Sequence, residues 1–337
     1  MPTLFIPTRN RAHSLGNVLE YMRQFYPKIP IAIADGSDTD HIQDVEQTIN
    51  RYAATLPVKF QHYDPELSVI KRMIHAIENI NDEYIVAGAD DDYSNMDVLS
   101  EGERFLRENP TYVTAMGTRV KIKYSSTDDM QLKLALVRPV DADNSERRMR
   151  LFSKWSFATT NAVTHKEHLL KRYDDMQRLL FSNAEDLNDY IGFMDYLVGN
   201  YDAARGKIKA YSDIGFISGY HYKHSRFRNT DKLFYLKKPN QIDAMQNYLI
   251  FLAKEYGSLS YEEARKLSEK LLRMRAAELS GARFHKMRQF ENSKLFNHPV
   301  VQEQYGLVNE SFELIQTKLS PESQEKLDFA TKAMMNE

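Results

Sequence analysis

The chain has 337 residues, 42% of them hydrophobic, enough for one large domain or a domain with an appendage. Its 45 basic and 47 acidic side chains leave a formal net charge of −2, which speaks against a nucleic-acid partner. There is no cysteine, so disulfides and Cys-ligated zinc or iron–sulfur sites are excluded, and the expected compartment is a reducing cytoplasm.

The opening "TLFIPT" reads as a strand, with no basic stretch and long apolar run ahead of it, so no signal peptide is expected. "SLGNVLEYMRQF" has helical spacing, with Ser14 as its N-cap. "PIAIAD" is a second strand ending in the turn-rich "DGSDTD", and "HIQDVEQTINRYAATL" a second helix. "VKFQHY" is strand, "ELSVIKRMIHAIENI" helix and "EYIVAGA" strand. This alternation predicts βαβ units and a doubly wound, mostly parallel sheet of the α/β class.

Residues 120–220 are less regular. "RLFSKWSFATTNAVTHKEHLLKRY" reads as strand or loop feeding a helix, and "AEDLNDYIGFMDYLVG" as a helix with acids at its start. "GKIKAYSDIGFISGYHY" contains two strand-like runs, and from about Asn240 the pattern is helical. A boundary near Pro239 is expected, dividing 1–238 (halves 1–120 and 121–238) from a helical C-terminal region, 239–337. No apolar run approaches the roughly 20 residues of a membrane span.

Ligands of such sheets bind at the carboxyl ends of the strands. "PTRNR", "DGSD" and "ADDDY" each follow a predicted strand, which places three polar clusters on one rim. Asp90, Asp91 and Asp92 are adjacent carboxylates that repel unless water or a cation relieves them. One reading is a Mg²⁺ or Mn²⁺ site shared with substrate phosphates. The other is a solvated acidic turn or a helix cap. No P-loop and no Gly-x-Gly-x-x-Gly occurs, which disfavours kinases and dehydrogenases.

"TLFIPTRNRAHSLGNVLEYM", "IAIADGSDTD" and "NDEYIVAGADDDY" together resemble the family 2 glycosyltransferases of the GT-A fold, over about the first 120 residues. The resemblance implies a Rossmann-like sheet and transfer of a sugar from a nucleotide diphosphate sugar, with inversion, to a glycan or lipid-linked acceptor. It assigns Pro7, Thr8, Arg9, Arg11, Asp35, Lys71, Asp90 and Asp91 to the donor, and Asp90 and Asp92 to Mn²⁺ or Mg²⁺. Many family members show Leu-Asp-x-Asp-Asp where this chain has Gly-Ala-Asp-Asp-Asp, so which pair faces the metal stays open. A Glu-Asp pair heading a later helix supplies the family's base. The resemblance puts that base at Asp186, with Glu185 and Asp189 as substitutes; the other reading is acids capping a helix N-terminus.

The basic, aromatic "GYHYKHSRFRN" holds His221, Lys223, His224, Arg226 and Arg228. It reads either as a diphosphate clamp with His221 or His224 completing a metal shell, or as a solvated loop. Trp155 reads as core or as a sugar-stacking ring. The C-terminal basic helices read as packing elements, or as contacts to the inner face of a membrane. A homo-oligomer is compatible with these features. A nucleotidyltransferase and a noncatalytic nucleotide- or glycan-binding relative are the competing classes.

Overall fold

The structure, a computed structural model, describes residues 1–126, 129–135, 137–155, 158–180, 194–221, 239–279 and 320–335. Four parallel strands open the fold: β1 (Thr3–Thr8), β2 (Ile31–Asp35), β3 (Val58–His62) and β4 (Tyr84–Ala87). Helices α1 (Ala12–Phe25), α2 (Thr39–Tyr52) and α3 (Val69–Glu78) connect them. Next come β5 (Asp92–Ser94), α4 (Met96–Glu108), the hairpin β6 (Tyr112–Ser126) and β7 (Asp129–Ala135), α5 (Ser145–Trp155) and β8 (Val163–His165). The chain closes with α6 (Lys166–Leu180), α7 (Met194–Arg205), β9 (Lys207–His221), α8 (Pro239–Gly257), α9 (Tyr261–Leu279) and α10 (Pro321–Met335).

The strand order is β3-β2-β1-β4-β8-β6-β9-β5, with β7 paired to β6. Beyond β4 the sheet is mixed: β8 and β5 pair antiparallel with their neighbours, β6 and β9 in parallel. Two apolar cores lie on its opposite faces. Leu4 and Ile6 of β1 pack with α1, α2, α4 and α10, while Phe5 packs with α3 and with α5 to α9. The alternation along one short strand thus serves both faces, which is why these parallel strands read as continuous apolar runs. Among the described residues no helix is long and apolar enough to cross a membrane.

Three local expectations are corrected. Helix α1 begins at Ala12, so Ser14 lies within it and is not its N-cap; the N-cap is Arg11, which makes no side-chain cap because a guanidinium has no acceptor for the free N–H groups. "GKIKAYSDIGFISGYHY" forms one long strand instead of two, because the turn-like "SDIG" is absorbed where the β6–β9 register shifts. There Gly117 and Gly215 press together so closely that a Cβ on Gly215 would lie 2.6 Å from the Gly117 backbone. The segment before Trp155 is the helix α5, whose Met149 and Phe152 reach the core from three residues apart. The β6–β7 hairpin was not anticipated.

Candidate functional site

The parallel pairing puts Thr8 at the end of β1 beside Asp35 at the end of β2. The loops that leave these strands are tied to each other and to the turn after β4. Thr8 Oγ1 donates to Asp90 Oδ2 at 2.8 Å. Arg11 spans two carboxylates, with Nη1 2.6 Å from Asp90 Oδ1 and Nη2 2.7 Å from Asp91 Oδ2. Arg9 reaches Asp38 at 2.7 Å and the Pro65 carbonyl at 3.2 Å. Asn10 sits at φ 57°, a left-handed conformation that Asn tolerates better than most residues. This turns its amide onto Asp38 Oδ2 and its backbone N–H onto Ser37 Oγ. Pro7 is half-buried in β1 opposite Ala34.

Asp35 is fully buried. Its Oδ1 accepts from the Ser37 N–H and hydroxyl, and its Oδ2 lies 2.7 Å from His62 Nδ1. It therefore organises Ser37 and His62, and His62 is the part-exposed group of the three. In the first turn of α3, Lys71 is exposed while its neighbour Arg72 turns inward and is 3% exposed. The Arg72 guanidinium lies over Gly36, where a Cβ would fall 1.0 Å from Nη1. Glycine at 36 is thus the space in which that cation lies. Arg72 Nε is buried without a hydrogen-bond partner, and the charges nearest its guanidinium include Asp35 and Asp90. Burial pulls the Arg72 pKa below its ordinary value.

The acidic triplet divides by environment. Asp90 is 4% exposed, and both its oxygens are engaged by Thr8 and Arg11. Burial pushes its pKa up to about 7 against the pull of Arg11. Asp91 is more open and shares Arg11. Asp92 starts β5, paired with Ser218 of β9. Its Oδ2 accepts from Asn161 Nδ2 at 2.7 Å. Burial, then the charge of Asp91, pushes its pKa up to about 6, with Arg119 opposing and Asp195 adding to the rise. Arg119 donates from Nε to Ser218 Oγ at 2.9 Å and stands 3.9 Å from Asp195 Oδ2.

Crowded carboxylates with raised affinity for protons are chemically suited to a hard cation. Among the described residues, however, no three His, Asp or Glu side chains converge as a ready-made metal cage. The donor set fits an ion that takes one or two protein carboxylates and completes its shell with phosphate and water, as Mg²⁺ does.

Glu185, Asp186, Asp189, Lys223, His224, Arg226 and Arg228 lie outside the described residues, as do the side chains of His221 and Trp155. The structure adds His62, Arg119, Asn161 and Asp195 to the rim, and brings Arg72 to it in place of an exposed Lys71. His62 was recoverable by the strand-end rule, since it closes β3. Arg119 and Asn161 carry no local signal, because strand pairing and a tight turn bring them in.

No protein-family model matches the chain, and no curated protein matches it in sequence. Likeness appears among solved structures. A TarS fragment from S. aureus, residues 1–349, aligns over 100% of this chain and 88% of its own length, at 12% identity and a TM-score of 0.51. The same fragment in complex with UDP-GlcNAc aligns over 100% and 89%, at 13% identity and a TM-score of 0.55. The fold is of the GT-A type. A mannosyltransferase from Pyrobaculum calidifontis, solved with GDP-Man and Mn²⁺, aligns over 99% of this chain and 86% of its own at 13% identity and a TM-score of 0.42.

Proposed function

We propose that the chain is a glycosyltransferase that moves a sugar from a nucleoside diphosphate sugar to a hydroxyl of a glycan or lipid-linked acceptor. The observation that carries the reading is the interlock of three strand ends. Thr8 and Arg11 hold the aspartates after β4, and Arg72, a buried cation with an unpaired Nε, lies over the Gly36 turn. A rim that gathers crowded carboxylates and a buried guanidinium with a free Nε–H at the ends of parallel strands suits a diphosphate with its counter-cation. The fold shared with the UDP-GlcNAc-bound TarS fragment supports the same reading.

In this reading His62 and Ser37, oriented by Asp35, stand at the nucleotide-base end. Arg72 and Arg119 face the diphosphate. Asp92, with Asp90 and Asp91 behind it, would hold Mn²⁺ or Mg²⁺, which when bound neutralises charge on the diphosphate. The acceptor oxygen attacks the anomeric carbon as its proton passes to a carboxylate. The bond to the donor phosphate oxygen breaks, its electron pair leaves with the nucleoside diphosphate, and the configuration inverts. We assign the proton acceptor to Asp186, with Glu185 beside it.

Calorimetric titration of UDP- and GDP-sugars with Mn²⁺, with Mg²⁺ and with a chelator tests the proposal. Binding of at least one donor that weakens at least tenfold on chelation is expected. No donor bound under any condition, or equal affinity with and without metal in wild type, would remove the reading.

A further inference from the structure

The turn ahead of β8 carries three consecutive polar side chains, and each is bonded to a different acid. Thr159 Oγ1 donates to Asp202 Oδ2 at 2.7 Å, Thr160 Oγ1 to Asp195 Oδ1 at 3.2 Å, and Asn161 Nδ2 to Asp92 Oδ2 at 2.7 Å. The backbone is held as well, with the Ala162 N–H on the Thr159 carbonyl at 3.2 Å. Thr159 and Asn161 are 0% and 3% exposed, so neither bond is a surface accident.

Asp195 and Asp202 lie seven residues apart on α7, two turns along one face. The strap therefore runs along one stripe of that helix and ends on the acidic strand end. Its far anchor is rigid. Asp202 is fully buried and also accepts from His168 Nε2 at 2.8 Å and from Arg172 Nη1 at 3.0 Å. The turn then passes directly into β8, which pairs with β4, the strand that leads to Asp90.

A carboxylate can rotate about its Cβ bond, and the charges around Asp92 pull in different directions. Arg119 attracts it, while Asp91 and Asp195 repel it. Among the described residues only Asn161 donates a side-chain hydrogen bond to it. We propose that Asn161 is a positioning residue for the donor site: held by the Thr159–Asp202 anchor, its amide fixes the Asp92 carboxylate with Oδ2 occupied and Oδ1 left for a ligand. This rests on the reading of Asp92 as a donor-site group, but the orientation itself is tested without ligand. Outer-shell partners of this kind typically contribute 10–100-fold to affinity or activity.

The experiment compares crystal structures and Mn²⁺·UDP or Mn²⁺·GDP affinity, by electron paramagnetic resonance of Mn²⁺, for wild type, Asn161→Ala and Asn161→Leu. Leucine keeps the volume without the donor, so loss of the hydrogen bond is separated from a cavity. The expected result is an Asp92 carboxylate rotated or split over two positions in both variants. Affinity should fall at least about tenfold while melting temperatures stay within a few degrees of wild type, which a purely structural role would not give. An Asp92 side chain unmoved in both variants overturns the proposal, and so does unchanged affinity in variants whose Asp92 has moved. Wild type that binds no Mn²⁺·nucleotide instead defeats the glycosyltransferase reading, and the crystal structures alone then decide the role of Asn161.

Discussion

At the scale of single residues, the rim buries ionisable carboxylates beside one another, and this sets a stability–pH relation. The folded pKa of Asp92 is raised, so the native state holds that proton more tightly than the unfolded chain does. Stability from this group is therefore full below the unfolded carboxylate value of about 3.9, declines as pH rises, and is gone above about 6. Asp92→Asn removes the loss and keeps an acceptor for Asn161. In metal-free buffer the variant should melt roughly 2–6 °C above wild type at pH 8, with the gap about halved at pH 5. Differential scanning calorimetry at the two pH values checks this; a variant less stable at pH 8 would show that Asp92 is better solvated than its surroundings imply. The buried pair at His168 and Asp202 acts in the opposite sense. Both groups are held below their ordinary pKa, His168 by burial, and Asp202 by Arg172 and the His168 hydrogen bond against its own burial. Their contribution is present at neutral pH and lost on acidification, in wild type and variant alike, so the difference between the two proteins isolates position 92.

At the scale of elements, helix ends show how side chains far apart in sequence complete the backbone. Arg148 of α5 donates from Nε to the Ala203 carbonyl at 2.8 Å and from Nη2 to that of Ala204 at 2.9 Å, at the end of α7. Its Nη1 reaches the Ala142 and Asp143 carbonyls. One buried guanidinium thus satisfies carbonyls that the last helical turn leaves open, and a cation at that end suits the helix dipole. Arg148→Leu should cost about 3 kcal/mol, read as a lowered urea midpoint at unchanged slope. Arg148→Lys should recover only part, because an ammonium cannot match the planar fork. Full recovery by lysine would mean that charge alone matters there. Nothing in "SERRMRLFSKW" marks Arg148 as different from Arg147 or Arg150, and that limit is general. The elements up to β4 were legible because buried parallel strands and the amphipathic helices between them carry strong periodic signals. So were the three strand-end clusters, since each ends a recognisable run. Arg72 over Gly36, Arg119 beside Ser218 and Asn161 on Asp92 were not, because pairing across distant segments creates those neighbours. The single β9 was missed for a related reason: its turn-like residues are held in the strand by the neighbouring β6.

At the scale of the whole molecule, the question is whether the helices beyond Pro239 form a separable region, as the composition of the chain suggests. Met245, Tyr248, Leu249 and Leu252 of α8 are fully buried, in the same core as Phe152 of α5 and Leu197 of α7. Helix α9 adds Leu267 and Leu271 to that core. Helix α10 returns to the other face of the sheet. There Phe329 packs against Tyr21, Phe25 and Tyr93, and Lys326 pairs with Asp97. Tyr93 is the residue next to Asp92, so α10 stands behind the acidic strand end. A chain ending at residue 238 would expose both apolar faces at once, and exposed patches of that size promote association. We therefore expect it to be aggregated or to bind an apolar dye strongly, and expect the full chain to unfold in one transition seen identically by far-ultraviolet circular dichroism and tyrosine fluorescence. A chain ending at residue 319 lacks only the α10 face. It should fold with a lowered melting temperature and, because Tyr93 loses Phe329, with weakened nucleotide binding. A monomeric, folded 1–238 that retains wild-type nucleotide affinity would instead establish the boundary near Pro239 as a true domain division and reduce the later helices to an accessory of the catalytic unit.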